Sequence, residues 1–152
     1  MTRIVLVAHA PLASALLQVA THVFPDCAVA LEALDVEPQM SPDQVDDAVR
    51  GLTCARSSED EVLVLADTFG ASPANAATRV ADGTRVRLVT GVNVPMLWRT
   101  LCYRAERLDS LVERAVQGGA SGVIQVSAPR PQHQTHAGAR NIHDQVQHPD
   151  QQ

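Results

Sequence analysis

The chain has 152 residues, 45% of them hydrophobic and 19% charged, with 17 acids against 12 bases and a formal charge of −5. That length is close to the commonest size of one globular domain, so a single buried core forms without disulfide or metal staples. Every base is an arginine, scattered along the sequence, which argues against a nucleic-acid partner held through its phosphates.

Ile4–Ala8 is apolar throughout and rich in β-branched residues, the pattern of a strand buried on both faces in a parallel sheet. It is too short for a signal peptide and ends at His9. Leu12, Leu16, Val19 and Val23 predict a helix with that stripe inward and His22 off it. A weaker strand is expected from about Ala28 to Leu34. Ser41, followed by Pro42 and Gln44, makes a capping box with proline at the first helical position; Val45, Ala48, Val49 and Leu52 share one face of the helix it opens. Asp43, Asp46 and Asp47 give that helix an acidic face.

Val62–Ala66 is a second fully apolar run, and Val86–Thr90 a third strand-length one. Between them Ser72 is expected to cap a helix over Pro73–Val80. A helix over Pro95–Tyr103 should follow Asn93, with Met96 and Trp98 filling core or interface. A last helix, Leu108–Val116, is expected to stop at Gly118–Gly119, before a short closing strand at Val123–Val126. Residues 128–152 hold six Gln, four His and three Pro, with Ile142 and Val146 the only large aliphatics. They cannot bury enough surface to offset their ordering entropy and read as a disordered tail outside a domain of residues 1–127. The tail's two arginines and two aspartates cancel, which places the whole −5 on residues 1–127.

Cys27, Cys54 and Cys102 are an odd number with no C-x-x-C spacing, as expected of free thiols in a reducing compartment, and cytoplasm is the expected location. No stretch approaches the roughly 20 apolar residues that span a bilayer. His133, His136, His143 and His148 could bind a divalent metal, but their irregular spacing favours a solvated linker remnant. No phosphate-cradling glycine motif of the nucleotide-binding kinds occurs, so a phosphoryl donor would be a protein. Neither a metal nor an organic cofactor is expected.

The alternation of strands and helices reads as a three-layer α/β domain with right-handed crossovers. Ligands of such sheets gather beyond the carboxyl ends of the strands, where strand order reverses. The junctions after the first, third and fourth strands are therefore the informative ones: His9-Ala10-Pro11, Asp67 to Pro73, and Gly91 to Pro95. Each ends in a proline that opens a helix, so three helix N-termini, which attract anions, should face one edge. If the first and third strands are neighbours, His9 and Asp67 lie within hydrogen-bonding distance. A carboxylate on one ring nitrogen orients the imidazole and leaves the other nitrogen free as a nucleophile or base. Such an imidazole can attack phosphorus, and Thr68, Ser72 and the backbone N–H groups of the Asp67–Pro73 loop are candidate donors to the phosphoryl oxygens. Taken singly, each residue also has an ordinary reading: a strand-end histidine, an Asx turn at Asp67, a helix cap at Ser72.

Asp67-Thr68-Phe69-Gly70-Ala71-Ser72-Pro73-Ala74-Asn75-Ala76 and Gly91-Val92-Asn93-Val94-Pro95-Met96-Leu97, with a histidine ending the first strand, resemble the mannose-type IIA component of the phosphoenolpyruvate-dependent sugar phosphotransferase system. The resemblance covers about residues 1–127. It implies a phosphocarrier whose histidine, matching His9, takes a phosphoryl group from the small carrier HPr and passes it to a IIB component; an alternative is the same phosphorylation read by a regulatory protein, with no sugar transported. It implies that the carboxylate matching Asp67 orients the histidine, and that the hydroxyl matching Ser72 helps bind the phosphoryl group. It also implies a sheet of order 2-1-3-4, and a homodimer formed by exchange of the last strand, for which Val123–Val126 is the matching segment. The family commonly has glycine where Ala71 and Ala10 stand; alanine resists positive φ, so these loops can differ from the family's. Two other readings are a phosphoryl donor to dihydroxyacetone kinase, and a non-enzymatic flavodoxin-like binding module.

Overall fold

A computed structural model describes residues 1–28, 30–57 and 59–127; the expected tail, 128–152, lies outside them. Four parallel strands, β1 (Arg3–His9), β2 (Leu31–Val36), β3 (Val62–Ala66) and β4 (Val86–Thr90), form one sheet in the order β2-β1-β3-β4. Six helices join them: α1 (Leu12–Val23), α2 (Pro25–Ala28), α3 (Pro42–Thr53), α4 (Ser72–Val80), α5 (Val94–Cys102) and α6 (Leu108–Ser121). The α/β class and the strand order agree with the sequence reading.

The central strands β1 and β3 are covered on both faces, which is why Ile4–Ala8 and Val62–Ala66 are apolar without alternation. Side-chain alternation still divides them. Ile4, Leu6, Ala8, Leu63 and Leu65 join the core under α1, α5 and α6. Val5, Val7, Val62 and Val64 join a smaller one under α3 and α4. The expected capping box is present: Gln44 N donates to Ser41 Oγ at 3.3 Å, and Ser41 N donates to Gln44 Oε1 at 2.8 Å.

Five local expectations are corrected. In α1 the buried residues are Ala13, Leu16 and Ala20, while Leu12, Val19 and Val23 are exposed. Ala13 and Ala20 fill the inward face beside Leu16, and Leu12, Val19 and Val23 turn outward. The segment around Ala28 is not yet strand: Pro25–Ala28 is a helical turn, and β2 begins at Leu31. Ser72 is the first residue of α4 and does not cap it; the N-cap is Ala71, which makes no side-chain cap bond. Ala71 has φ −86°, and no non-glycine residue among those described has positive φ, so alanine at positions 10 and 71 is not asked to adopt the glycine-favouring region. Val123–Val126 forms no strand within the chain: Val123, Ile124 and Val126 are 81%, 74% and 88% exposed.

The fifth correction concerns Gly118 and Gly119, which do not end α6; the helix runs through them to Ser121. They are sites of close approach to α5. A Cβ on Gly118 would lie 2.7 Å from Arg99 Cβ and 3.2 Å from Pro95 O. Gly118→Val is therefore expected to separate α5 from α6 and cost about 2 kcal/mol, the usual scale of overpacking; urea unfolding measures it, and an unchanged midpoint would contradict the contact.

Candidate active site

His9 is the last residue of β1 and Asp67 the first after β3. The parallel register sets Val7 opposite Ala66, so the two tips emerge side by side. His9 Nδ1 lies 2.6 Å from Asp67 Oδ2, and the same oxygen accepts from His9 backbone N at 2.9 Å. The other carboxylate oxygen accepts from Thr68 N at 2.8 Å. Burial raises the Asp67 pKa, but the hydrogen bonds from His9 and Thr68 outweigh it and hold the carboxyl below its usual value. The carboxylate side chain is 10% exposed and the imidazole 56%: the orienting group is shielded and the oriented one is open. With Nδ1–H donated to Asp67, the Nε2 lone pair is free.

The loop after Asp67 is held in place by its own turns. Gly70, at φ +82°, takes a conformation that an L side chain resists, and its carbonyl accepts from Asn75 Nδ2 at 3.1 Å. Gly91, at φ +83°, donates its N–H to the Asp67 carbonyl at 3.0 Å, so the β4–α5 loop braces the aspartate from behind. Thr68 and Ser72 are exposed. His9 and Ser72 line one open cavity of about 410 Å³.

The structure brings His9, Asp67, Thr68 and Ser72 to one edge; Asn93 follows β4 at the same edge, but its side chain is used within the fold. Asn93 Oδ1 accepts from Met96 N at 2.9 Å, capping α5, and its Nδ2 donates to Gly119 O at 3.1 Å, bracing α6. The junction completing the cavity is the one after β2, which the sequence reading passed over: Val36, Glu37, Pro38 and Met40 form its far wall. The strand order contained that signal, because β1 is flanked by β2 and β3 while β4 lies at the sheet edge. Two further residues were missed. Asp35, at the end of β2, accepts from Ser14 N at 3.1 Å and caps α1 in place of Pro11, which has no capping side chain. Arg79 of α4 lines the cavity, paired with Asp46 of α3.

Phe69, the ring at the loop tip, is 83% exposed. Among the described residues no group of three or more His, Cys, Asp or Glu is placed to hold a metal, and no helix is long and apolar enough to cross a membrane.

Residues 3–117 match the family model EIIA-man, described as PTS system fructose IIA component. The PTS system mannose-specific EIIAB component of Escherichia coli (strain K12) is 42% identical over 80 residues, covering 46% of this chain and 25% of that protein. The Shigella flexneri protein of the same description matches to the same extent. The chain thus spans about a quarter of the length of these curated relatives. Among solved structures, the mannose/sorbose specific IIA subunit of the phosphotransferase system from Enterococcus faecalis superposes with a TM-score of 0.76 at 20% identity, covering 85% of this chain and 97% of that one. Phosphotransferase system component EIIA from Streptococcus agalactiae gives 0.73 at 22% identity, covering 82% and 97%. At those identities the structures establish the fold alone.

Proposed function

Since the chain belongs to the EIIA-man family, the mannose-type IIA phosphocarrier components of the sugar phosphotransferase system, we propose that His9 carries the phosphoryl group. HPr is the donor and a IIB component or a regulatory protein the acceptor. The observation that carries this reading is the 2.6 Å contact between His9 Nδ1 and Asp67 Oδ2. It gives the imidazole one defined tautomer and leaves Nε2 as the nucleophile.

The Nε2 lone pair attacks phosphorus as the donor's P–N bond breaks, and the donor ring keeps that electron pair. Asp67 stabilises the positive charge that develops on the His9 ring. Thr68 and Ser72 donate to the equatorial oxygens, together with the backbone N–H groups at the start of α4. The IIB-type acceptor reverses these steps. The body comprises residues 1–127 and works in the cytoplasm without metal or organic cofactor. Val123–Val126, apolar and exposed, pairs with the outer edge of β4 in a second copy, giving a homodimer.

Incubation with enzyme I, HPr and phosphoenolpyruvate is expected to give an acid-labile, base-stable adduct that mass spectrometry places on His9. A protein that takes no phosphoryl group would instead be a binding module, and label on another residue would move the site.

A further inference from the structure

The cavity beside His9 extends well past the volume that a phosphoryl group fills. Val36, Met40 and Val45 make one side apolar; Ser72, Asn75 and Arg79 line the other. The last three recur at helical spacing along one face of α4. Arg79 stands seven residues after Ser72, about 10 Å down the helix at about 1.5 Å per residue. Helical side chains lean toward the N-terminus, so the guanidinium approaches the cavity from below. Asp46 clamps it there: Nε donates to Oδ2 at 2.7 Å and Nη2 donates to Oδ1. The clamp uses two of the five N–H donors. Among the described residues those on Nη1 have no partner, and Arg79 is the only arginine lining the cavity.

We propose that this cavity seats a long, carboxylate-ended side chain of the phosphoryl-donating protein, with its stem against Val36, Met40 and Val45 and its carboxylate on the open edge of Arg79. The inference rests on the phosphocarrier reading and concerns recognition rather than chemistry, because Asp46 ties the guanidinium to α3. Any protein that delivers phosphorus to Nε2 covers the cavity mouth, so the groove is continuous with that docking face. The donor meets His9 before phosphorylation, whereas an acceptor meets a mouth already holding the phosphoryl group. The surrounding body is acidic, with Asp43, Asp47 and Glu37 nearby in sequence or on the cavity wall. Arg79, the one arginine lining the cavity among the described residues, marks where the donor presents an anion, and it sets the docking register.

The test is steady-state phosphorylation of the full chain by phospho-HPr, regenerated with enzyme I and phosphoenolpyruvate. Arg79→Met is expected to raise KM for phospho-HPr about tenfold, and Arg79→Glu about fiftyfold through added repulsion, with kcat within about twofold. Arg79→Lys, which keeps the charge but loses the planar fork, and Asp46→Asn, which frees the guanidinium, should each raise KM about threefold. Unchanged KM in both Arg79→Met and Arg79→Glu would overturn the proposal, as would a fall in kcat at constant KM, which would place Arg79 on the phosphoryl group. Wild-type protein that accepts no phosphoryl group would remove the phosphocarrier reading and this one with it; labelled wild type with unaffected Arg79 variants would remove only the docking.

Discussion

Asp67→Ala is expected to be phosphorylated about 10²–10⁴-fold more slowly than wild type, the usual range for disturbing an acid–base partner. The substitution removes the acceptor of both His9 Nδ1 and His9 N, so the ring loses its orientation and its preferred tautomer. It also removes the negative charge that stabilises the ring as phosphorus is attacked. On the proposed reading Nε2 is the reacting atom, so the loss should fall on kcat and leave KM for phospho-HPr little changed; rapid-quench kinetics separate the two. His9→Ala should take no label at all. An unchanged rate in Asp67→Ala would make the carboxylate a structural brace. The pH dependence has a defined sign. The Asp67 carboxyl is held below its usual value of about 3.9, so it stays ionised at every pH above that range. Its contribution is lost only as pH falls through the depressed folded-state value.

The largest stability effect is expected at the opposite end of β1. Arg3, 11% exposed, gathers four segments. Its Nη2 donates to Glu32 Oε1 at 2.8 Å and to Leu52 O at 2.6 Å, and its Nη1 donates to Asp60 Oδ2 at 3.0 Å and to Cys54 O at 3.2 Å. Arg3→Met keeps most of the volume but leaves two carboxylates and two carbonyls short of a donor. Breaking such a shielded pair costs about 3–5 kcal/mol. Arg56 still donates to Glu32 and Asp60, so about 2–3 kcal/mol is expected here. Chemical unfolding measures it, and a loss below about 1 kcal/mol would mean that water replaces the arginine without penalty.

The same variant carries a pH signature. Burial raises the Glu32 pKa, but Arg3 and Arg56 outweigh it; Asp60 is lowered first by the Arg56 backbone N–H and then by Arg3. Both carboxyls are therefore depressed on folding. Their stabilisation is complete above the unfolded values of about 4 and is lost as pH falls through the folded ones. Arg3→Met should flatten that acid limb, whereas Asp67→Ala should leave its Arg3-dependent part in place.

Much of the architecture was legible because it rests on local chemistry. Uninterrupted apolar runs at Ile4–Ala8 and Val62–Ala66 specify strands covered on both faces, and Ser41-Pro42 with Gln44 specifies a helix start. Both effects act within a few residues, so they survive in a one-dimensional reading. His9 and Asp67 could be singled out for the same reason, as polar residues placed directly after buried strands. Misreadings came where size or a distant neighbour decides. Gly118 and Gly119 look like a helix stop, yet they are the surface against which α5 packs. The Leu12–Val23 stripe looks like the buried face, yet only Leu16 of it is buried, beside Ala13 and Ala20.

Composition, apolar run length and the capping box are properties of the chain alone, and they determined an α/β domain with a histidine and an aspartate at strand ends. Only the tertiary structure decided that these two touch, that the β2 tip completes the cavity, and that Asp46 of α3 pairs with the Arg79 that lines it. The physical reason is that hydrogen bonds and ion pairs act over a few ångströms. Residues 58 positions apart in the chain, as His9 and Asp67 are, come within that range only when hydrophobic burial has set the strand order.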